Sequence, residues 1–106
     1  MRSVRYHPDA RAEFLHEVEY YSRLSARLSE RFDRAVLAAE AQAAETPELW
    51  PKYKHKTRRI VDRKFKFSLV YLYTESEITV VAVVIASILS EEVLVREQLE
   101  VEVEEI

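Results

Sequence analysis

The 106-residue chain contains no glycine and no cysteine. At an average usage of ~7%, about seven glycines would be expected. Their absence excludes the sites that depend on one: a P-loop, a dinucleotide fingerprint, a nucleophile elbow. Without cysteine there are no disulfides and no thiolate zinc sites, and a reducing compartment is the default expectation. Long apolar runs are also missing. Met1-Arg2-Ser3-Val4-Arg5 has no signal-peptide core. The longest apolar stretch, from Ile78 to Leu89 and broken by Thr79 and Ser87, falls short of the ~20 residues of a membrane span. A soluble, cytoplasmic protein with no membrane partner is expected. The length suits one domain, and 48% hydrophobic with 33% charged residues is a globular balance.

The charge of −3 hides a strong asymmetry. Between 52 and 66, eight cations (Lys52, Lys54, Lys56, Arg58, Arg59, Arg63, Lys64, Lys66) face only Asp62. From 67 to 106, Arg96 stands against nine glutamates. Such a basic block between acidic flanks says more about partners than the overall pI of 5.7.

Ser3-Val4-Arg5-Tyr6 reads as an edge strand, and His7-Pro8-Asp9 as a helix start with His7 at the cap. Phe14, Val18, Tyr21, Leu24 and Leu28 form the apolar stripe of a first helix. Ser29-Glu30 offers a cap for a second helix, with Phe32, Ala35, Val36, Ala39 and Ala43 on its inner face. Thr46-Pro47 should end it, because the residue before a proline is pushed out of the α region. After a connector around Trp50-Pro51, the segments 57–62, 64–73 and 78–86 are β-branched and aromatic. Asp62-Arg63 and Thr74-Glu75-Ser76-Glu77 are the expected turns. The architecture expected is a two-layer α+β domain, an N-terminal strand and an antiparallel helical hairpin packed on an antiparallel sheet. In the acidic tail, Ser90-Glu91-Glu92 looks like a helix start, and Leu99, Val101 and Val103 alternate with Glu100, Glu102 and Glu104 as in a strand. That tail is expected to shield the basic block, extend the sheet, or exchange into a homodimer.

Few residues suggest chemistry. Glu13 and His16 have the spacing of a di-metal pairing, but such a site needs two such pairs on a four-helix bundle. No metal and no cofactor are expected. His55 alone has a functional neighbourhood, inside Lys52-Tyr53-Lys54-His55-Lys56. Interleaved cations and a ring suit an acidic protein partner best, then a solvated strand edge or a polyanion. The candidate partner-binding residues are Lys52, Lys54, Lys56, Arg58, Arg59 and Arg63; were the protein an enzyme, Lys54, His55, Lys56 and Arg59 would be the catalytic candidates. Arg58 and Arg59 are neighbours on a strand, so at most one can meet the helices and the other should reach solvent or a partner.

Tyr6-His7-Pro8-Asp9-Ala10, Glu13-Phe14, Glu19-Tyr20-Tyr21, Leu28-Ser29-Glu30-Arg31-Phe32, Thr46-Pro47-Glu48-Leu49-Trp50-Pro51, Arg58-Arg59, Phe65-Lys66-Phe67, Val70-Tyr71 and Ala82-Val83 occur in a familiar order. The chain thereby resembles the RelE/ParE superfamily of type II toxin–antitoxin toxins, nearer the ParE or plasmid-stabilisation branch, over residues 3 to 84. The resemblance implies one toxin-like domain over 1–106, with a family-like core to residue 90 and an acidic extension over 91–106. It implies a ParE-like toxin, not an enzyme, that poisons DNA gyrase by protein–protein contact and is held by a cognate antitoxin. The alternative branch, RelE-like, cleaves mRNA on the ribosome with sheet lysines and arginines, which Lys54 and Lys56 match loosely. A third alternative is a non-toxic, diverged or engineered toxin-fold scaffold. Ser29 stands where the family usually has glycine, and Val84 to Glu92 replaces a usual His, Arg, Pro and aromatic pair by apolar residues.

Overall fold

The structure, a computed structural model, describes residues 1–85. The expectations for the acidic tail lie outside the described residues. Along the chain come β1 (Ser3–Tyr6), α1 (Pro8–Leu24), α2 (Ala26–Glu45), β2 (Arg58–Asp62), β3 (Phe67–Tyr73) and β4 (Glu77–Ile85). Two short 3₁₀ turns, Pro47–Leu49 and Lys54–Lys56, lie between α2 and β2.

His7 caps α1 as expected: its Nδ1 accepts the Asp9 amide at 3.1 Å, and Pro8 needs no hydrogen bond at the first helical position. The break between the helices differs from the expected one. It falls at Ser25, not at Leu28-Ser29. Ser25 is a single extended residue that serves both helices. Its amide donates to Tyr21 O at 2.9 Å, closing α1, and its Oγ accepts the Leu28 amide at 3.3 Å, opening α2. Ser29 is thus inside α2, and its hydroxyl donates across to Val18 O at 3.4 Å. Ending α1 this early also leaves Leu24 exposed rather than on the buried stripe.

The sheet order is β1-β4-β3-β2. β2, β3 and β4 are antiparallel, as expected, but β1 joins β4 in parallel, with Val4 opposite Ile78 and Tyr6 opposite Val80, so the sheet is mixed. The turn between β2 and β3 is longer than Asp62-Arg63. Asp62 Oδ1 accepts the amides of Lys64 and Phe65 at 2.9 and 3.0 Å, and Lys66 is left-handed at φ 56°. β3 therefore starts at Phe67 instead of Lys64. Val70 pairs with Ala82 but Tyr71 with Val80, which leaves Val81 as the extra residue of a bulge. The bulge moves the inward position of β4 from Val80 to Val83, both fully buried.

One face of the sheet carries the helices. Ile60, Leu69, Tyr71, Ile78, Val80 and Val83 meet Phe32, Val36, Ala39 and Ala43 of α2 and Ala10 of α1. Phe32 is the centre of an aromatic cluster, with ring centroids 6.0 Å from Phe14, 5.1 Å from Tyr21, and 5.6 Å from both Phe65 and Phe67. The alanines of α2 let it lie close against the strands. β4 runs on past the end of β1. There Glu13 of α1 takes over, its carboxylate accepting the Val83 amide at 3.2 Å.

Candidate functional site

The basic block folds as a small hairpin sewn to the body by its own backbone. Lys52 bridges Arg58, the Tyr53 amide donates to Thr57 O at 2.8 Å, and the Arg59 amide donates to Pro51 O at 3.1 Å. Lys54-His55-Lys56 forms the tip. His55 (φ 54°) and Lys56 (φ 64°) are left-handed, a region costing non-glycine residues of order 1–3 kcal/mol each where surroundings hold them. Here the Thr57 amide and hydroxyl both donate to Lys54 O, which closes the turn. With no glycine in the chain, its left-handed positions among the described residues fall on His55, Lys56 and Lys66, all within the basic block.

Strand geometry then divides the six candidate partner-binding residues. Lys52, Lys54, Lys56 and Arg63 are exposed. Arg58 is half-buried, and its Nη1 donates to Trp50 O at 2.6 Å, tying the connector to β2. Arg59 points to the other face, as strand alternation requires. It is 6% exposed, with its guanidinium 4.7 Å from the centre of the Tyr53 ring. The Lys54 ammonium lies 5.7 Å from the same ring. Of the catalytic candidates, Lys54, His55 and Lys56 thus share one exposed tip, while Arg59 is enclosed behind it.

At the other end of β2 a groove of about 360 Å³ lies between α2 and β2, lined by Ala38, Gln42, Val61, Asp62, Arg63 and Lys64. Away from the block, Arg5 pairs with Glu77 at 3.7 Å and Arg23 with Glu19 at 2.6 Å. The groove sets the alanines of α2 against Arg63 and Lys64, with Gln42 and Asp62 also in its lining. An extended segment with alternating apolar and acidic residues is the complementary shape.

Sequence reasoning missed two polar contacts that join distant elements. The Tyr71 hydroxyl donates to Pro47 O at 2.6 Å, anchoring the start of the connector on the core. On the far side, Tyr6 bonds Glu40. Burial pushes the Tyr6 hydroxyl far up from its ordinary value, and the adjacent carboxylate adds to this. Burial also raises Glu40, aided by Asp33 and opposed by the Tyr6 bond and by Arg11. A carboxyl raised in the folded state favours the fold when protonated, so its contribution falls as pH climbs from the ordinary carboxyl range through the raised value. Glu40→Gln keeps an acceptor for Tyr6 and removes this loss. Urea midpoints of the variant should therefore fall less than those of the parent as pH is raised from 4 to 7.

Glu13 has its carboxylate on the Val83 amide, and His16 is exposed on α1. No cluster of three or more His, Cys, Asp or Glu that could hold a metal occurs among the described residues. No helix among them is long and apolar enough to cross a membrane.

No protein-family model matches the chain, and no curated protein is similar to it in sequence. Among solved structures, it is similar to a chain of the chromosomal ParDE TA system from P. aeruginosa, with a TM-score of 0.57 and 17% sequence identity. The likeness covers 82% of this chain and 98% of the other. The chain shares the fold of that ParDE-system chain, here an N-terminal strand, two helices and a four-stranded mixed sheet.

Proposed function

From this fold we propose that the chain is a ParE-like toxin of a type II toxin–antitoxin pair, acting in the cytoplasm by binding DNA gyrase and neutralised by a cognate antitoxin. The observation that carries the reading is the set of exposed cations on that fold, Lys52, Lys54 and Lys56 on the hairpin and Arg63 on the groove between α2 and β2. Surfaces of this kind recognise by charge and shape. Charge complementarity raises the rate of encounter, and the groove holds what has arrived. Arg58 and Arg59 support the hairpin that displays the lysines, through Trp50 O and Tyr53.

Induction of the chain in bacteria should arrest growth and change plasmid supercoiling while translation continues, and co-expression of its antitoxin should relieve the arrest. Loss of translation with normal supercoiling would instead assign the RelE-like endonuclease chemistry to Lys54, His55 and Lys56. Unimpeded growth would leave a toxin-fold scaffold. The triple change K52E/K54E/K56E should weaken antitoxin binding on the order of 100-fold at low salt, and less at high salt, because screening shortens the reach of exposed charges to ~8 Å at physiological ionic strength.

A further inference from the structure

The exposed cations of the basic block form two clusters, one at each end of β2. Lys52, Lys54 and Lys56 stand before it, and Arg63, Lys64 and Lys66 after it. β2 is an edge strand, so both clusters lie on the same rim of the sheet. From Arg58, which Lys52 bridges, to Arg63 is five steps of nearly straight chain, about 17 Å at ~3.4 Å per residue. Each cluster has a fixed footing. The first stands on the hairpin, which the Arg59 amide ties to Pro51 O and the Tyr53 amide to Thr57 O. The second stands on the turn in which Asp62 accepts the amides of Lys64 and Phe65. Asp62 is the only carboxylate from 52 to 66, and its role in that turn is to hold the backbone.

We propose that this rim binds the phosphate backbone of duplex DNA, with one cluster on each side of the major groove. Charge alone suits any polyanion; the spacing selects the duplex. The major groove of B-DNA is ~12 Å wide and has a row of phosphates along each wall. Groove and walls together match two cationic clusters about 17 Å apart on a straight strand. A single strand offers one row, the major groove of duplex RNA is narrow and deep, and an acidic peptide has no fixed pair of rows. The contacts go to phosphates, so binding is expected without base preference. Each phosphate neutralised adds ~0.9 to the fall of log affinity with log salt, so six cations give a slope of about −5. The inference stands apart from the toxin reading but bears on it: an antitoxin seated on Lys52, Lys54 and Lys56 takes away half of the DNA contact.

The test is fluorescence anisotropy of a labelled mixed-sequence duplex, two helical turns long, titrated with the full-length chain over a series of salt concentrations. The expected slope is about −5, and K52Q/K54Q/K56Q and R63Q/K64Q/K66Q should each bring it to roughly half. R27Q/R34Q, which removes exposed cations of α2, should leave it unchanged. All these side chains are exposed, and circular dichroism reports whether the fold is kept. Where a triple change does not fold, K54Q and R63Q serve singly, each lowering the slope by ~0.9. Absence of salt-dependent duplex binding would overturn the proposal, as would a loss confined to one cluster or an equal loss in R27Q/R34Q. Equal affinity for a single strand or an RNA duplex of the same length would also overturn it. A glutamate-rich peptide bound as tightly as the duplex would assign the rim to an acidic protein instead. No gyrase or antitoxin enters these measurements, so DNA binding can fail while the toxin reading stands, and the reverse.

Discussion

Phe32→Ala is expected to destabilise the protein by about 3–5 kcal/mol, the usual cost of emptying a buried aromatic position. Phe32 is fully buried and its ring meets Phe14, Tyr21, Phe65 and Phe67, so it joins α1, α2 and the β2–β3 side of the sheet at one point. The neighbours cannot close the gap. Phe14 and Tyr21 are held by α1, and Phe67 by its pairing with Asp62 and Ile85. A domain of this size has roughly 5–15 kcal/mol of stability, so the variant should be near the edge of folding at 37 °C. Urea denaturation followed by circular dichroism checks the figure. Phe32→Leu, which refills most of the volume, should recover more than half of the loss.

The second large effect is expected at Tyr71. Its side chain is fully buried, and its hydroxyl holds Pro47 O at 2.6 Å. Tyr71→Phe leaves that carbonyl without its partner at a buried site and should cost about 1–3 kcal/mol. The same position has a signature in alkali. Burial pushes the Tyr71 hydroxyl up to about 12, against a smaller opposing effect of Arg58. With an unfolded value of ~10, the stability linked to the neutral hydroxyl is fully present below pH 10 and is lost as pH rises toward 12. The variant should be less stable than the parent at pH 7, and its unfolding free energy should fall less between pH 10 and 12. Matched urea titrations at the three pH values measure both effects.

Much of this architecture is legible in the residues. His7-Pro8-Asp9 opens α1 and Thr46-Pro47 closes α2 because cap and proline chemistry act within a few residues. Phe32, Val36, Ala39 and Ala43 line the buried face of α2 because helical spacing alone brings them together. What was not legible depends on partners far away in the chain. Nothing within β1 says that its neighbour is β4 or that the pairing is parallel. The bulge at Val81 shifts the phase of an apolar strand whose alternation is already blurred on both faces. The cap expected at Ser29 falls instead on Ser25, which satisfies both helix ends at once.

The candidate site follows the same division. That residues 52–66 are a concentrated positive surface can be read directly from the sequence. Which cations are displayed cannot. Arg58 and Arg59 look alike in the sequence, and both are taken up in holding the hairpin, one by a carbonyl of the connector and one by a ring six residues earlier. Lys54 and Lys56 stay outside on a left-handed tip, and Lys52 is exposed on the hairpin arm that bridges Arg58.

The pairing of β1 with β4 also has a consequence during synthesis. The Ser3 hydroxyl donates to Ser76 O across 73 residues, so the first strand made waits for the last described strand before it has a neighbour. At ~5–20 residues per second on the ribosome, that interval lasts roughly 4–15 s. In its later part, α1 and α2 have been made while Phe14, Tyr21 and Phe32 still lack the complete sheet that covers them. The nascent chain is then an amphipathic helical pair, most vulnerable to holding chaperones and to aggregation, and its completed surface appears abruptly once residue 80 emerges.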